Sequence, residues 1–175
     1  MNLERGLVQV YTGEGKGKTT AALGLALRAA GYGLRVHIVQ FMKGWTHYGE
    51  LSGVKLLPSV TLRQFGRQGF VNPQHPQPAD FELARAALED ARQAMLSGQV
   101  DIVVLDEVNV ALDLRLIPLD AVLKLLDERP AQVELVLTGR GAPEELCRRA
   151  DLVTEMRALK HPYNSGIAAR KGIEY

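Results

Sequence analysis

The stretch TGEGKGKTT, residues 12–20, decides how the rest of this chain is read. It closes in Gly17-Lys18-Thr19, the end of a phosphate-binding loop of the form G-x-x-x-x-G-K-[ST]. That form asks for a glycine five positions before Gly17, where this chain has Thr12; the loop also carries an extra lysine, Lys16. A short apolar run, Gly6 to Tyr11, leads into the loop, and KTTAALGLALRAA, Lys18 to Ala30, leads out of it. Strand, loop and helix in that order are the context in which the motif means phosphate. Successive backbone N–H groups then converge on one concavity, and the helix N-terminus adds about half a positive charge. Gly13, Gly15 and Gly17 let the backbone approach an oxyanion without a Cβ in the way. Lys18 reaches phosphate oxygens and Thr19 offers a hydroxyl to Mg²⁺. With Glu14, Lys16 and Thr20 these residues form the expected ATP-binding loop; Lys16 reads equally well as a solvated loop lysine. A nest of N–H groups recognises oxyanions, not their order. The loop therefore announces a triphosphate and leaves its direction open.

Working outward, the helix after the loop is apolar nearly all round, which suits a helix buried inside the fold, and Gly31 and Gly33 stop it. Leu34 to Phe41 (LRVHIVQF) predicts the second strand and Val60 to Phe65 the third, with loop and one short helix across 42–58. Residues 66–79 (GRQGFVNPQHPQPA) form a long loop, the kind that is usually functional or mobile. Asp80 to Leu96 predicts an amphipathic helix with Leu83, Ala87, Ala91 and Ala94/Met95 on one stripe and an Arg85–Glu89 pair on the wet side. Asp101 to Leu105 (DIVVL) is a continuous apolar strand of the kind found inside parallel sheets. A helix over Pro118–Glu128, a strand over Val133–Leu137, a helix over Pro143–Ala150 and a strand over Leu152–Met156 complete the pattern, and the tail after Leu159 reads as polar and irregular. Alternating strands and helices imply right-handed crossovers. The expected fold is α/β: a P-loop NTPase-like (RecA-like), doubly wound, mostly parallel sheet with helices on both faces, in one domain spanning 1–175.

Two further motifs fall at strand ends. Asp106-Glu107 closes the run DIVVL, a Walker B arrangement expected beside the phosphate loop, where one carboxylate can hold Mg²⁺ and the other could activate water. Thr138-Gly139-Arg140-Gly141 follows VELVL, so Arg140 is either a phosphate ligand or an exposed arginine in a helix N-terminal turn. His37, His47, His75 and His161 show no spacing typical of a zinc site. Trp45 and Phe70 lie in irregular segments, where an aromatic either covers core or lines a ligand pocket.

Bulk properties narrow the class. The 175 residues are 46% hydrophobic and 23% charged, with a formal net charge of +1, so no broad nucleic-acid-binding face is suggested. The single cysteine, Cys147, rules out an internal disulfide framework and reads as a half-buried helical side chain in a reducing cytosol. No segment is long and apolar enough to cross a bilayer, and MNLERGLVQVY has no signal-peptide apolar core, so a cytoplasmic protein is expected.

The motifs so far deliver a Mg-ATP-binding domain and leave the acceptor open. Their order, however, resembles the ATP:corrinoid adenosyltransferases of the CobA/BtuR type. The resemblance is carried by TGEGKGKTTAALG (12–24), VQFMKG (39–44), VVLDEV (103–108), LTGRG (137–141) and LKHPYNSGIAARKGIEY (159–175), and Thr12 belongs to it. It implies transfer of the 5′-deoxyadenosyl group of ATP to Co(I) of a reduced corrinoid, with release of triphosphate. It implies a nucleotide reversed in the loop, so that C5′ projects toward the second substrate. Lys18 and Glu107 become the catalytic residues, Thr19 and Glu107 the holders of Mg²⁺ (or Mn²⁺), and Asp106 a supporting carboxylate.

Family members also use aromatics to displace the lower axial base of the corrinoid, which eases cobalt reduction. Phe70 matches one of these aromatics; Asn72 stands where a tryptophan is expected, followed by Pro73. Phe70, Trp45 and His161 form the expected corrinoid side. His75 lies nearby, but cobalt ligation by it would oppose reduction. With few residues ahead of the first strand, the longer N-terminal extension of some relatives is expected to be missing. A homodimer and a reduced flavoprotein donor follow from the resemblance. The other readings open at this point are an ATP hydrolase or kinase using Glu107 as base, and a nucleotide- or corrinoid-binding module without turnover.

Overall fold

The computed structural model describes residues 3–175. Met1 and Asn2, the start of the stretch read for a signal peptide, lie outside the described residues. The strands are β1 (Val8–Thr12), β2 (Val36–Phe41), β3 (Val60–Phe65), β4 (Ile102–Asp106), β5 (Glu134–Thr138) and β6 (Leu152–Glu155). They form one sheet in the order β3-β2-β4-β5-β1-β6, and every pairing is parallel. The helices are α1 (Lys18–Gly31), α2 (Gly49–Gly53), α3 (Pro78–Leu96), α4 (Val108–Asp113), α5 (Leu119–Glu128) and α6 (Glu144–Arg149), with 3₁₀ turns at Val54–Leu56 and Pro162–Ser165.

The apolar strands divide their side chains by the period of two. Val36, Ile38, Ile102, Val104 and Val136 point to the face covered by α1. Val39, Phe41, Val103, Leu105, Leu135 and Leu137 point to the face covered by α3, α4, α5 and α6. Burying one such side chain contributes about 2 kcal/mol, several times an exposed helix ion pair, so this partition rather than surface charge fixes the register. All six expected strands are present, with ends shifted by one or two residues.

Several expectations change. Helix α1 is not buried all round: Ala22, Ala26 and Ala29 seat it on the sheet, while Leu27 is 59% exposed. Small residues along that stripe let the helix approach closely, and the opposite side meets water. The buried stripe of α3 is Ala84, Ala87, Ala91 and Met95, with Leu83 at its margin. Glu89 accepts from Gln93 at 3.0 Å and lies 4.0 Å from Arg92 instead of pairing with Arg85. Helix α4 was not expected at all. The tail contains one 3₁₀ turn where only irregular chain was foreseen.

A capping box opens α3: Asp80 Oδ2 accepts the Gln77 N–H at 2.8 Å, and the Gln77 side chain caps in return. Arg67 donates two hydrogen bonds to the same Asp80 carboxylate, at 2.8 and 3.0 Å. The guanidinium, opposed by burial, holds the Asp80 carboxyl below the usual carboxylate range. The long loop 66–77 is therefore pinned at its start.

The carboxyl ends of the parallel strands share one edge of the sheet, where ligands of doubly wound folds sit. Asp106 comes beside the phosphate loop, 2.7 Å from the Thr19 hydroxyl, although β5 runs between β4 and β1. Thr138, at the end of β5, spans the gap.

Candidate active site

The loop between β1 and α1 is shaped by contacts with the segment after β6. A Cβ on Gly13 would lie 2.5 Å from the Met156 carbonyl oxygen, and one on Gly15 2.7 Å from it. The Gly15 N–H donates to that carbonyl at 2.6 Å. These two glycines therefore admit the neighbouring backbone, not only a ligand, and the Gly15 N–H is already used within the fold. Gly17, at φ 117°, adopts the left-handed conformation that turns the chain into α1. Thr12 has a task too: its hydroxyl oxygen accepts the Ala142 N–H at 3.2 Å, joining this loop to the one that carries Arg140.

Lys18 curls back over the loop, its ammonium donating to the carbonyls of Gly13 at 2.6 Å and Gly15 at 2.7 Å. Burial pushes its pKa down, and the charge of Glu107 opposes the shift. Gly15, Lys16, Gly17, Lys18, Thr19 and Thr20 line a pocket of about 450 Å³, together with Glu107, Arg140, His161 and Glu174. Arg140 sits 3.5 Å from Glu14, both largely exposed. His161, expected on the corrinoid side, stands instead with the phosphate loop, where its ring accepts the Tyr163 N–H.

The two adjacent carboxylates are treated very differently. Asp106 is 1% exposed and accepts four hydrogen bonds. Its Oδ1 takes the hydroxyls of Thr19 (2.7 Å) and Thr138 (2.8 Å); its Oδ2 takes Lys43 (2.8 Å) and Gln40 (3.1 Å). That fills the lone-pair sites of a carboxylate. Glu107 caps α4 in a left-handed conformation, φ 66°, with its N–H donated to Thr138 Oγ1 at 3.0 Å. Its own carboxylate has no hydrogen-bond partner among the described residues. Burial and the neighbouring Asp106 charge raise its pKa, against Lys43, Lys18 and Arg140.

Sequence reasoning passed over Lys43 and Gln40, although both lie within VQFMKG. Lys43 reaches Asp106 and lies 3.8 Å from Glu50, and its ammonium stands 5.6 Å above the Tyr48 ring. Burial lowers its pKa, but the charge and hydrogen bond of Asp106, with Glu107 and Glu50, outweigh burial and leave it raised. Gln40 bridges Asp106 and Glu50 and accepts from Gln64 at 2.9 Å. Two glycines seat the Lys43 loop. A Cβ on Gly44 would lie 2.2 Å from the Gly66 carbonyl oxygen, and one on Gly66 2.3 Å from the Met42 carbonyl carbon.

Across Glu107 from the phosphate pocket lies an apolar cleft of about 390 Å³. Met42, Trp45, Tyr48, Phe70, Val71 and Leu114 supply most of its walls, and Lys43 and Glu107 are its charged members. Phe70 is 95% exposed at the rim. Asn72 makes a turn, its side-chain oxygen accepting the Gln74 N–H at 3.0 Å, and Pro73 lines the cleft instead. His75 is exposed and outside this lining.

A third pocket, about 510 Å³, opens between Thr19, Glu50, Glu107 and the tail residues Gly172–Tyr175. The tail is tied to the phosphate loop by Lys16, which donates to the Ile173 carbonyl and the Glu174 carboxylate, each at 3.0 Å. Rings of Trp45, His47 and Tyr175 join tail to cleft, at centroid distances of 5.3 and 5.5 Å. Among the described acidic residues, Glu107 alone lines all three spaces.

Comparison with known proteins identifies the family. Residues 4–175 match the family described as ATP:corrinoid adenosyltransferase BtuR/CobO/CobP. A corrinoid adenosyltransferase of Pseudomonas aeruginosa is 40% identical over 172 residues, covering 98% of this chain and 85% of the relative. The Escherichia coli K12 corrinoid adenosyltransferase is 38% identical, and Salmonella typhimurium corrinoid adenosyltransferase CobA 37%. Each of these alignments covers 98% of this chain and 87% of the relative.

Proposed function

The chain belongs to the ATP:corrinoid adenosyltransferase family and is a transferase acting in ATP-dependent corrinoid adenosylation; from that premise we propose how its residues divide the work. The observation that carries the reading is the position of Glu107 on the wall shared by the phosphate pocket and the apolar cleft. A polyphosphate in the loop and a flat, largely apolar macrocycle in the cleft meet there.

The nucleotide binds reversed, its terminal phosphate deep in the loop and its ribose C5′ turned to the cleft. The reduced cobalt of the corrinoid attacks C5′ in line; a Co–C bond forms and the C5′–O bond to the triphosphate breaks. No water needs activation. Lys18 leaves the Gly13 and Gly15 carbonyls for phosphate oxygens and, with the N–H groups of the loop, stabilises the departing triphosphate. Arg140 leaves Glu14 for the same anion.

The residues present suit a divalent cation. Thr19 donates its proton to Asp106 and keeps its oxygen lone pairs free, and the Glu107 carboxylate is unpartnered. Among the described residues no cluster of three or more His, Cys, Asp or Glu side chains suits a metal, so the remaining ligands would be phosphate oxygens and water, the usual Mg²⁺ pattern. Bound there, Mg²⁺ or Mn²⁺ would neutralise the charge growing on the triphosphate. Phe70 and Trp45 hold the corrinoid's lower face, where loss of the axial base eases reduction. The protein works as a homodimer, receives its electron from a reduced flavoprotein, and acts in the cytoplasm as one domain, without nucleic acid. Among the described residues no helix is long and apolar enough to cross a membrane.

The test is product analysis with ATP and a Co(I) corrinoid. A cobalt–carbon bond and intact triphosphate are expected. ADP and phosphate, formed without corrinoid, would replace this reading with that of a hydrolase using Glu107 as base.

A further inference from the structure

Lys43 is unaccounted for by the reading above. Its ammonium donates to Asp106 Oδ2 at 2.8 Å, while the Thr19 hydroxyl donates to Oδ1 of the same carboxylate at 2.7 Å. A fixed positive charge thus stands one carboxylate away from the hydroxyl proposed to meet the metal. Asp106 has no open lone pair: Thr138 and Gln40 take the other two sites. Glu50, 3.8 Å from Lys43 and bonded to Gln40, holds the ammonium from its other side. The backbone that carries Lys43 is held close at the Gly44–Gly66 contact, and the hydrogen bond to Asp106 places the ammonium.

We infer that Lys43 is a positioning residue that withholds Asp106 from the metal, so that the protein binds a divalent cation weakly until the polyphosphate arrives with it. The inference rests on Thr19 and Glu107 being the metal-facing residues. Lys43 occupies the carboxylate oxygen that would otherwise turn to a cation, and its charge cancels the pull of that carboxylate on one. Thr19 and Glu107 alone make a poor cage. Polyphosphate oxygens complete it, so the cation enters and leaves with the anion. A product that carries its own cation departs more readily than one tethered to a tightly held metal. Lys43 lines both the apolar cleft and the tail pocket, and Thr19 lines the second of these with it.

The experiment titrates Mn²⁺ alone onto the full chain, reading the free-ion electron paramagnetic resonance signal, without nucleotide or corrinoid. Lys43→Gln keeps a hydrogen-bond donor but removes the charge; Lys43→Met removes both. Both variants are expected to bind Mn²⁺ at least tenfold more tightly than the unchanged protein. Adding Asp106→Asn to Lys43→Gln should return the affinity to the original weak value. A gain in affinity is a result that misfolding cannot imitate. Unchanged or weaker Mn²⁺ binding in Lys43→Gln overturns the inference, as does a gain that survives Asp106→Asn. The underlying metal reading is tested separately, by Mn²⁺ binding to the unchanged protein with ATP. If Glu107→Gln leaves that binding intact, the reading of Glu107 as ligand fails, whatever Lys43 does.

Discussion

The phosphate pocket and the apolar cleft share one wall and are built on opposite plans. The pocket is made by a contiguous loop whose backbone is braced by hydrogen bonds and close approaches: Gly15 to Met156, Thr12 to Ala142, Lys18 to two carbonyls. The cleft is assembled from two loops and helix α4, and presents an exposed aromatic ring, Phe70, beside the half-buried Trp45 and Tyr48. One region is specified by backbone dipoles and charge, the other by apolar area left open to solvent. Polyphosphate needs fixed donors; a bulky macrocycle needs surface it can slide onto and leave.

That contrast can be broken by mutation. Lys18→Ala is expected to have the largest effect, lowering adenosylation by about 10² to 10³-fold, the scale of losing one charge-stabilising donor. Steady-state rates together with calorimetric nucleotide titration check it; full activity would remove the loop from the chemistry. Gly66→Ala tests whether the cleft also depends on backbone contact. Its Cβ would meet the Met42–Lys43 backbone at 2.3–2.4 Å, so the fold should lose about 2 kcal/mol, a fall in Tm of roughly 4–8 °C by calorimetry. Phe70→Ala should leave both Tm and ATP affinity unchanged, because the ring is exposed. It should slow adenosylation about five- to tenfold when the assay starts from Co(II), the worth of one aromatic contact. An equal slowing from Co(I) would place Phe70 in binding rather than in reduction.

The smallest effect concerns the tail. Its Glu174 carboxyl is held down to about 2, first by the Arg170 side chain, then by the Arg170 N–H and Lys16. A depressed carboxyl supports the docked tail above its unfolded value and loses that support as pH falls through the folded one. Hydrogen exchange at the Gly172 amide should therefore be flat from pH 7 to 5, after correction for intrinsic rates, and rise as pH drops from 4.5 toward 2. Glu174→Gln should abolish that dependence.

The same contrast governs what was legible in the chain. Strand–loop–helix around residues 12–20 could be read locally, because the motif, the apolar run and the helix are contiguous. So could DIVVL and its acidic end, since a strand buried on both faces leaves a continuous apolar signature. What escaped depends on contacts distant in sequence. Helix α4 follows β4 with Glu107 alone between them, and its left-handed backbone makes the break without a glycine or proline. Lys43 and Gln40 acquire meaning only when β2 is laid beside β4, with Gln40 level with Asp106. Thr138 becomes the link between Asp106 and Glu107 because β5 inserts between β4 and β1, an order no periodicity encodes. The place of His161 beside the phosphate loop was illegible for a like reason: the tail's course is set by Lys16, Glu174 and ring contacts, not by hydropathy.

The bond from Lys16 to Glu174 joins residues 158 positions apart, and Met156 braces the same loop. The phosphate loop is therefore braced only once a segment far along the chain has folded back onto it. Proteolytic nicking near residue 170 would be felt at residue 16.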